Sequence, residues 1–156
     1  MNAQFCTPAS VTASLYLKWA LVFEDAQTHS IWLGKAIPRL WLRQGERVSA
    51  QAVPTGYGRV SFAFDSQLEA SGSIHLNVSV PSTWASKAGR GAPPGGLRIR
   101  LRAPLGWRMS GVVLGDGTIW KGFDADGERM LFSKAQLEDA GVGAKLSGVD
   151  VRFVKH

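Results

Sequence analysis

Apolar and polar residues alternate in several short segments of this chain. The clearest alternation is Ile74–Val80 (IHLNVSV), in which every second residue is apolar. Arg47–Val53 (RVSAQAV) and Val60–Ser66 (VSFAFDS) show the same period, and Leu97–Arg102 (LRIRLR) alternates leucine or isoleucine with arginine. Because successive side chains of a β-strand point to opposite faces, this period predicts strands with one buried face.

About ten such strands are predicted, separated by turns that contain glycine or proline. The Asp-Gly pairs at 116–117 and 126–127 indicate hairpins. Ser14–Asp25 fits a short helix followed by a strand, and periodicity alone does not separate these two structures. Many short strands at regular spacing are typical of sandwiches and barrels. The prediction is therefore an all-β fold, an antiparallel β-sandwich or jelly roll of about ten short strands with little helix.

The composition agrees with a single domain. The chain has 156 residues, of which 45% are hydrophobic and 19% charged, with 18 glycines and 7 prolines. No linker divides it, so we expect one sandwich over residues 15–156, preceded by a flexible N-terminal segment at residues 1–14. Pro81–Gly96 is polar and rich in glycine and proline, which predicts a long loop.

Charge and targeting signals restrict the possible partners. The net charge is +6, but there is no run of five basic residues. The arginines of Leu97–Arg102 fit a solvated outer face better than an anion-binding stripe, so nucleic acid is not an expected partner. No signal peptide or transmembrane segment is evident, and a membrane is not an expected partner either. Localisation stays open between the cytoplasm and a longer exported protein.

Residues for catalysis or metal binding do not form a recognisable motif. The three histidines and the single cysteine, Cys6, lack zinc-ligand spacing, so no metal is predicted. No phosphate-binding or dinucleotide-binding glycine motif is present, and no cofactor is predicted. A G-x-S-x-G nucleophile motif is absent, and the carboxylates fall mostly in turns. We therefore assign no catalytic residue, and interpret His75 as an outer-face side chain.

Aromatic side chains offer one possible kind of binding site. The chain has six tryptophans, and tryptophan either fills a core or stacks on a ligand ring. Trp32 and Trp41 lie in apolar segments and are expected to be packed. Trp84 lies in the polar Pro81–Gly96 segment and is the best candidate for an exposed ring. The candidate carbohydrate-binding residues are Trp84, Trp107, Tyr57 and Arg59.

Several of these segments together resemble a known arrangement. An A-I-P-R-x-W-L segment stands at Ala36–Leu42, and an A-P-T-x-x-G loop at Ala52–Gly58 has Val53 inserted. An L-R-x-R-x-P segment stands at Leu97–Pro104 with one added residue, and Val113–Trp120 corresponds to a V-N-G-x-x-W hairpin with leucine in place of asparagine. Over roughly Trp19 to Phe132, the chain resembles the C-terminal β-rich domain of large glycoside-hydrolase-like proteins with an (α/α)-barrel catalytic domain.

The resemblance implies a function without catalysis in this chain. In such proteins the catalytic acids belong to the barrel, and the sandwich supports it. The leading hypothesis is a non-catalytic ancillary domain of a carbohydrate-active enzyme, whose partner is a barrel domain that this chain lacks. The alternatives are a standalone carbohydrate-binding module, with a glycan as partner, and a small glycoside hydrolase. A domain separated from its barrel is also expected to self-associate through an exposed apolar patch.

Overall fold

A computed structural model describes residues 7–86 and 89–156, with side chains from residue 11 onward. The strands are β1 (Val22–Asp25), β2 (Ser30–Leu33), β3 (Arg47–Thr55), β4 (Gly58–Gln67), β5 (Ser73–Ser79), β6 (Leu97–Arg100), β7 (Trp107–Val113), β8 (Phe123–Asp124), β9 (Arg129–Phe132) and β10 (Ser147–Lys155). The helices are α1 (Thr7–Leu21), α2 (Leu68–Ser71), α3 (Ser82–Ser86), α4 (Lys134–Leu137) and α5 (Val142–Leu146), with a 3₁₀ turn at Arg39–Leu42.

The strands form two sheets of five, which confirms the predicted β-sandwich. Sheet A has the order β1-β2-β6-β9-β8, and sheet B has the order β3-β4-β5-β10-β7. All pairs are antiparallel except β2 with β6. Parallel neighbours need a crossover connection. Here the chain between β2 and β6 provides it by forming three strands of sheet B.

The hydrophobic core lies between the two sheets and follows the alternation in the sequence. In β5, Ile74, Leu76 and Val78 are buried, whereas the residues between them are exposed. In β6, Leu97 and Ile99 are fully buried and the intervening arginines are partly exposed. Residues that alternate in sequence therefore point alternately toward the core and toward the outer face of each sheet.

Helical segments are more extensive than the sequence indicated. Helix α1 covers residues 7–14 of the segment assigned to a flexible N-terminus, whereas residues 1–6 lie outside the described chain. It also answers the ambiguity at Ser14–Asp25, because the helix runs to Leu21 and β1 follows directly. The predicted loop Pro81–Gly96 contains the short helix α3. No helix in the described part of the chain has the length and apolar character needed to cross a membrane.

Candidate functional site

Trp84, the first candidate for sugar stacking, is fully buried. It lies in α3 with 0% of its surface exposed, and its indole Nε1 donates a hydrogen bond to the Tyr57 carbonyl oxygen at 2.7 Å. The expectation of an exposed ring is therefore wrong. The segment looks like a polar loop in the sequence because most of its residues are polar or small. In the structure its short helix turns Trp84 into the core, while the polar neighbours Ser82 and Thr83 remain exposed. Trp41, expected to be packed, is instead 39% exposed.

The other three candidates do not lie together. Tyr57 and Arg59 belong to the β3–β4 hairpin, where the Arg59 guanidinium donates to the Ala52 carbonyl oxygen at 2.8 Å. Trp107 begins β7, at the opposite edge of sheet B, with β5 and β10 between β4 and β7. The structure thus separates the predicted binding residues, and they do not form one surface for a glycan.

Trp107 lines a cleft of about 570 Å³ together with two carboxylates, Asp126 and Glu128. Asp126 pairs with Arg108 at 2.8 Å, and both oxygens of Glu128 accept hydrogen bonds from Arg39. The Lys155 ammonium lies 5.0 Å from the centre of the Trp107 ring. Both carboxylates of this cleft are therefore engaged by arginines, and a cation already lies over the aromatic ring.

A serine, a histidine and an aspartate also come together on the outer face of sheet B. Ser73 Oγ lies 3.5 Å from His75 Nε2, and His75 Nδ1 lies 3.2 Å from Asp150 Oδ1. This is the order of a nucleophilic triad. However, Ser73 is only 4% exposed, and its hydroxyl shares a 2.7 Å hydrogen bond with Ser71. The Ser73 hydroxyl is therefore largely shielded from solvent, which argues against its use as a nucleophile.

The Asp124–Glu128 turn is held by its own side chains. Asp124 Oδ1 accepts a hydrogen bond from the Gly127 amide at 2.9 Å, and Asp124 Oδ2 pairs with Arg129 at 3.0 Å. The Gly127 amide, and secondarily Arg129, lower the pKa of Asp124 below its ordinary value. Within the described residues, no group of three or more His, Cys, Asp or Glu side chains is placed to share a metal ion.

The outer face of sheet A carries an aromatic and cationic row. Strand register places Phe23 opposite Trp32, Trp32 beside Arg98, and Arg98 opposite Leu131. Lys35 extends over this row, with its ammonium 3.7 Å from the centre of the Phe23 ring and 5.3 Å from the Trp32 ring. The Arg98 guanidinium lies 5.1 Å from the Trp32 ring. Cations over aromatic faces in this range are attracted by the ring electrons.

Several arginines lie close together on this face, so their positive charges repel one another. Arg98, Arg100 and Arg102 alternate with the buried Leu97, Ile99 and Leu101. Arg100 stands directly opposite Arg129 in the ladder between β6 and β9. Like charges in this position destabilise a sheet. Asp124, opposite Arg129 in β8, offsets only part of this repulsion.

A groove of about 670 Å³ opens on this face at the β6, β9 and β8 side. We call it the sheet A groove. Its lining residues are Arg98, Trp120, Lys121, Gly122, Phe123, Asp124, Arg129, Leu131, Ser133 and Gln136. Trp120 stacks on Phe132 at 4.7 Å with nearly parallel rings, which fixes the indole on the core side. The sequence showed the arginine stripe but not this groove, because Trp120 and Lys121 approach β6 only through the pairing of β8 and β9.

Helix α1 presents a second unusual surface. Its exposed apolar residues are Val11, Leu15, Tyr16, Leu17 and Trp19, and Lys18 is its only charged residue. Consecutive positions of a helix do not share a face. The exposed apolar residues of α1 are therefore not confined to one stripe, although Thr12, Ser14 and Lys18 lie among them. Beyond Leu21, a groove of about 380 Å³ continues along Leu40, Trp41 and Val48.

In comparisons with known proteins, no family model, no curated protein and no solved structure matches this chain.

Proposed function

We propose that this chain is a non-catalytic ancillary β-sandwich of a carbohydrate-active enzyme, and that it packs against a catalytic (α/α)-barrel domain through helix α1. The observation that carries the proposal is the exposed apolar surface of α1. Leu15 is 39% exposed, Tyr16 62% and Leu17 50%, in a helix with a single charge.

A helix with this composition is poorly suited to water on all sides. An isolated helix of about 15 residues is marginal in water, and most helical stability in proteins comes from tertiary packing. A helix that is hydrophobic around its whole circumference is normally buried. In the described structure, α1 packs only lightly, chiefly against β1. A neighbouring domain that covers α1 would therefore contribute both stability and a fixed orientation.

The groove beyond α1 supports an extended contact rather than an isolated one. Leu40 is 56% exposed and Trp41 39% exposed, and both line the groove that starts at Leu21. Large aromatic and aliphatic side chains that stay exposed in one region are typical of protein interfaces. The sandwich would then support the barrel domain, with helix α1 packed into the surface of that domain.

The experiment uses the 156-residue chain together with an (α/α)-barrel encoded in the adjoining coding sequence, produced as a separate protein. We expect a stable complex in which amide exchange slows throughout α1. Leu17→Glu should weaken this complex by about tenfold or more, because a buried leucine contributes about 1.5–3 kcal/mol. Alone, the chain should self-associate at high concentration, and Leu17→Glu should reduce that association.

Leu105→Glu is the matched control, because Leu105 is 86% exposed and lies between β6 and β7, away from α1. It should leave both the complex and the self-association unchanged. Adjoining sequence without a barrel, a barrel that does not bind, or equal effects of the two variants would each contradict the proposal. Sedimentation that shows a strict monomer at high concentration would count against an apolar interface on α1.

A further inference from the structure

We propose that the sheet A groove binds an oligosaccharide that carries carboxylates, a uronic acid oligomer, with Arg98 and Lys121 as the carboxylate-binding cations. The site lies at the β6–β9–β8 side of sheet A, whereas α1 adjoins β1 at the opposite edge. The inference thus goes beyond the packing role of α1 and does not depend on it.

The groove carries a net positive charge, which favours an anionic ligand. Arg98, Lys121 and Arg129 line it together with a single carboxylate, Asp124. That carboxylate is already engaged by the Gly127 amide and by Arg129. Among the described residues, neither Arg98 nor Lys121 forms a salt bridge. Two cations are therefore available to a ligand, and a charge-assisted hydrogen bond is about twice as strong as a neutral one.

The neighbouring arginines strengthen this preference. Arg100 stands directly opposite Arg129, and Lys35 lies over the aromatic rings of the same face. Each of these cations raises the positive potential along the sheet, and the repulsion between them would be relieved by a bound anion. A sheet that only needed a solvated outer face could carry mixed charges, as sheet B does at Arg47–Asp65 and His75–Asp150.

The size and lining of the groove fit a short sugar chain. Its volume of about 670 Å³ falls within the range of about 300–1,000 Å³ for small-ligand sites. Leu131, 45% exposed, and Phe123 supply apolar surface for the C–H face of a pyranose ring. Gln136 Oε1 accepts hydrogen bonds from the amide of Ser133 at 2.8 Å and from its hydroxyl at 3.0 Å. This arrangement leaves the Gln136 amino group as a donor for sugar hydroxyls or a carboxylate.

The aromatic rings of this face favour a sugar acid over a single-stranded nucleic acid. Nucleic-acid sites of this kind use exposed aromatic rings as platforms for stacked bases. Trp32 is only 7% exposed, and both Lys35 and Arg98 lie within cation–π distance of its ring. Trp120 has one face covered by Phe132. Carboxylates need the cations, whereas stacked bases would need open ring faces, and Trp32 and one face of Trp120 are already covered.

The test measures binding of the full 156-residue chain to oligogalacturonate, oligoglucuronate and mixed mannuronate–guluronate oligomers by calorimetry, with backbone NMR shifts to locate the site. Neutral galacto- and xylo-oligosaccharides of equal length are the ligand controls. We expect at least one uronate oligomer to bind, to shift residues 121–124 and 131–136, and to bind more weakly as salt increases. Arg98→Gln should weaken binding about tenfold, and Lys121→Gln about threefold or more.

Arg152→Gln is the matched control variant. Arg152 stands in β10 of sheet B with 65% of its side chain exposed, so the substitution removes the same charge from the other face. It should leave binding unchanged. Lys121 is exposed and serves as the second variant if Arg98→Gln perturbs the fold. The inference is overturned if no uronate oligomer binds at millimolar concentration, if neutral oligomers bind equally well, if single-stranded DNA or RNA binds more tightly, or if all three variants behave alike.

Discussion

At the scale of single residues, Trp84 links the β3–β4 hairpin to the core. Its ring is completely buried, and its Nε1 is bonded to the Tyr57 carbonyl oxygen. Trp84→Ala should lower the free energy of unfolding by about 3–5 kcal/mol, because it creates a large cavity and leaves a carbonyl oxygen without its donor. Chemical denaturation followed by circular dichroism measures this loss.

Trp41 provides the comparison, because it is 39% exposed and lies in the 3₁₀ turn. Trp41→Ala should cost clearly less than Trp84→Ala, because a large part of the Trp41 side chain already lies in water in the folded protein. Equal losses for the two variants would show that Trp84 is not the buried anchor that the structure describes.

Gly115 is required by a close approach of two backbone segments. A Cβ atom at this position would collide with the Ser147 carbonyl oxygen and lie 2.5 Å from that of Ala144. Gly115→Ala should therefore destabilise the protein by about 2 kcal/mol or more, since two backbone segments must move apart. Gly111→Ala is the control, because a Cβ atom there meets nothing within 4 Å. A melting temperature that falls equally in both variants would refute this explanation.

At the scale of secondary structure, alternation in the sequence was a reliable guide where one face of a strand is buried. The alternation at Ile74–Val80 and Leu97–Arg102 predicts strands, and β5 (Ser73–Ser79) and β6 (Leu97–Arg100) overlap these segments with the expected residues buried. The two-residue period is visible in these two strands because their outward-facing side chains are polar or charged and their inward-facing ones are mostly apolar. By contrast, the apolar residues of α1 are not confined to one face, so its sequence has no clear period that separates helix from strand.

Alternation in the sequence does not predict short helices or the way in which distant strands come together at a sheet edge. Helix α3 has only five residues within a segment rich in glycine and proline, and tertiary packing of Trp84 outweighs local propensity there. The sheet A groove combines β6 with residues from 120–136, which adjoin it only after β9 has paired with β6. That pairing joins segments about 30 residues apart, and no local pattern specifies it. The basic stripe was visible in the sequence, whereas the groove beside it was not.

At the scale of the whole molecule, two surfaces at opposite edges of sheet A divide the proposed roles. The exposed apolar helix α1 adjoins β1, and the cationic groove lies at β6, β9 and β8. A partner domain on α1 would therefore leave the groove open to a glycan. Both sheets share one continuous core, so we expect the sandwich to hold the two surfaces in a fixed relation.

Several aspartates with lowered pKa values tie the stability of the whole domain to pH. The Thr28 amide lowers the pKa of Asp25, the Thr118 amide that of Asp116, the Gly127 amide that of Asp124, and the Lys145 ammonium that of Asp139. Each group binds its proton more weakly in the folded state than in the unfolded state. Their stabilising effect is therefore complete above the ordinary aspartate pKa of about 3.9, and is lost as pH falls through the lower folded values.

The urea midpoint of unfolding should consequently stay level from about pH 7 to pH 5 and then fall steadily below about pH 4.

Asp116→Asn tests the cause at one site. Asparagine can still accept the hydrogen bond from the Thr118 amide, 2.9 Å away in the native protein, but it does not titrate. At pH 6 this variant should be slightly less stable than the native chain, because a neutral acceptor is weaker than a carboxylate. Between pH 6 and pH 3 the difference should shrink, because the pKa of Asp116 is lowered in the folded state and the stabilisation by its carboxylate is progressively lost below the ordinary aspartate pKa. A difference that is the same at both pH values would mean that the turn at Asp116 does not contribute to acid sensitivity, and a midpoint that rises on acidification would contradict the lowered pKa values of all four aspartates.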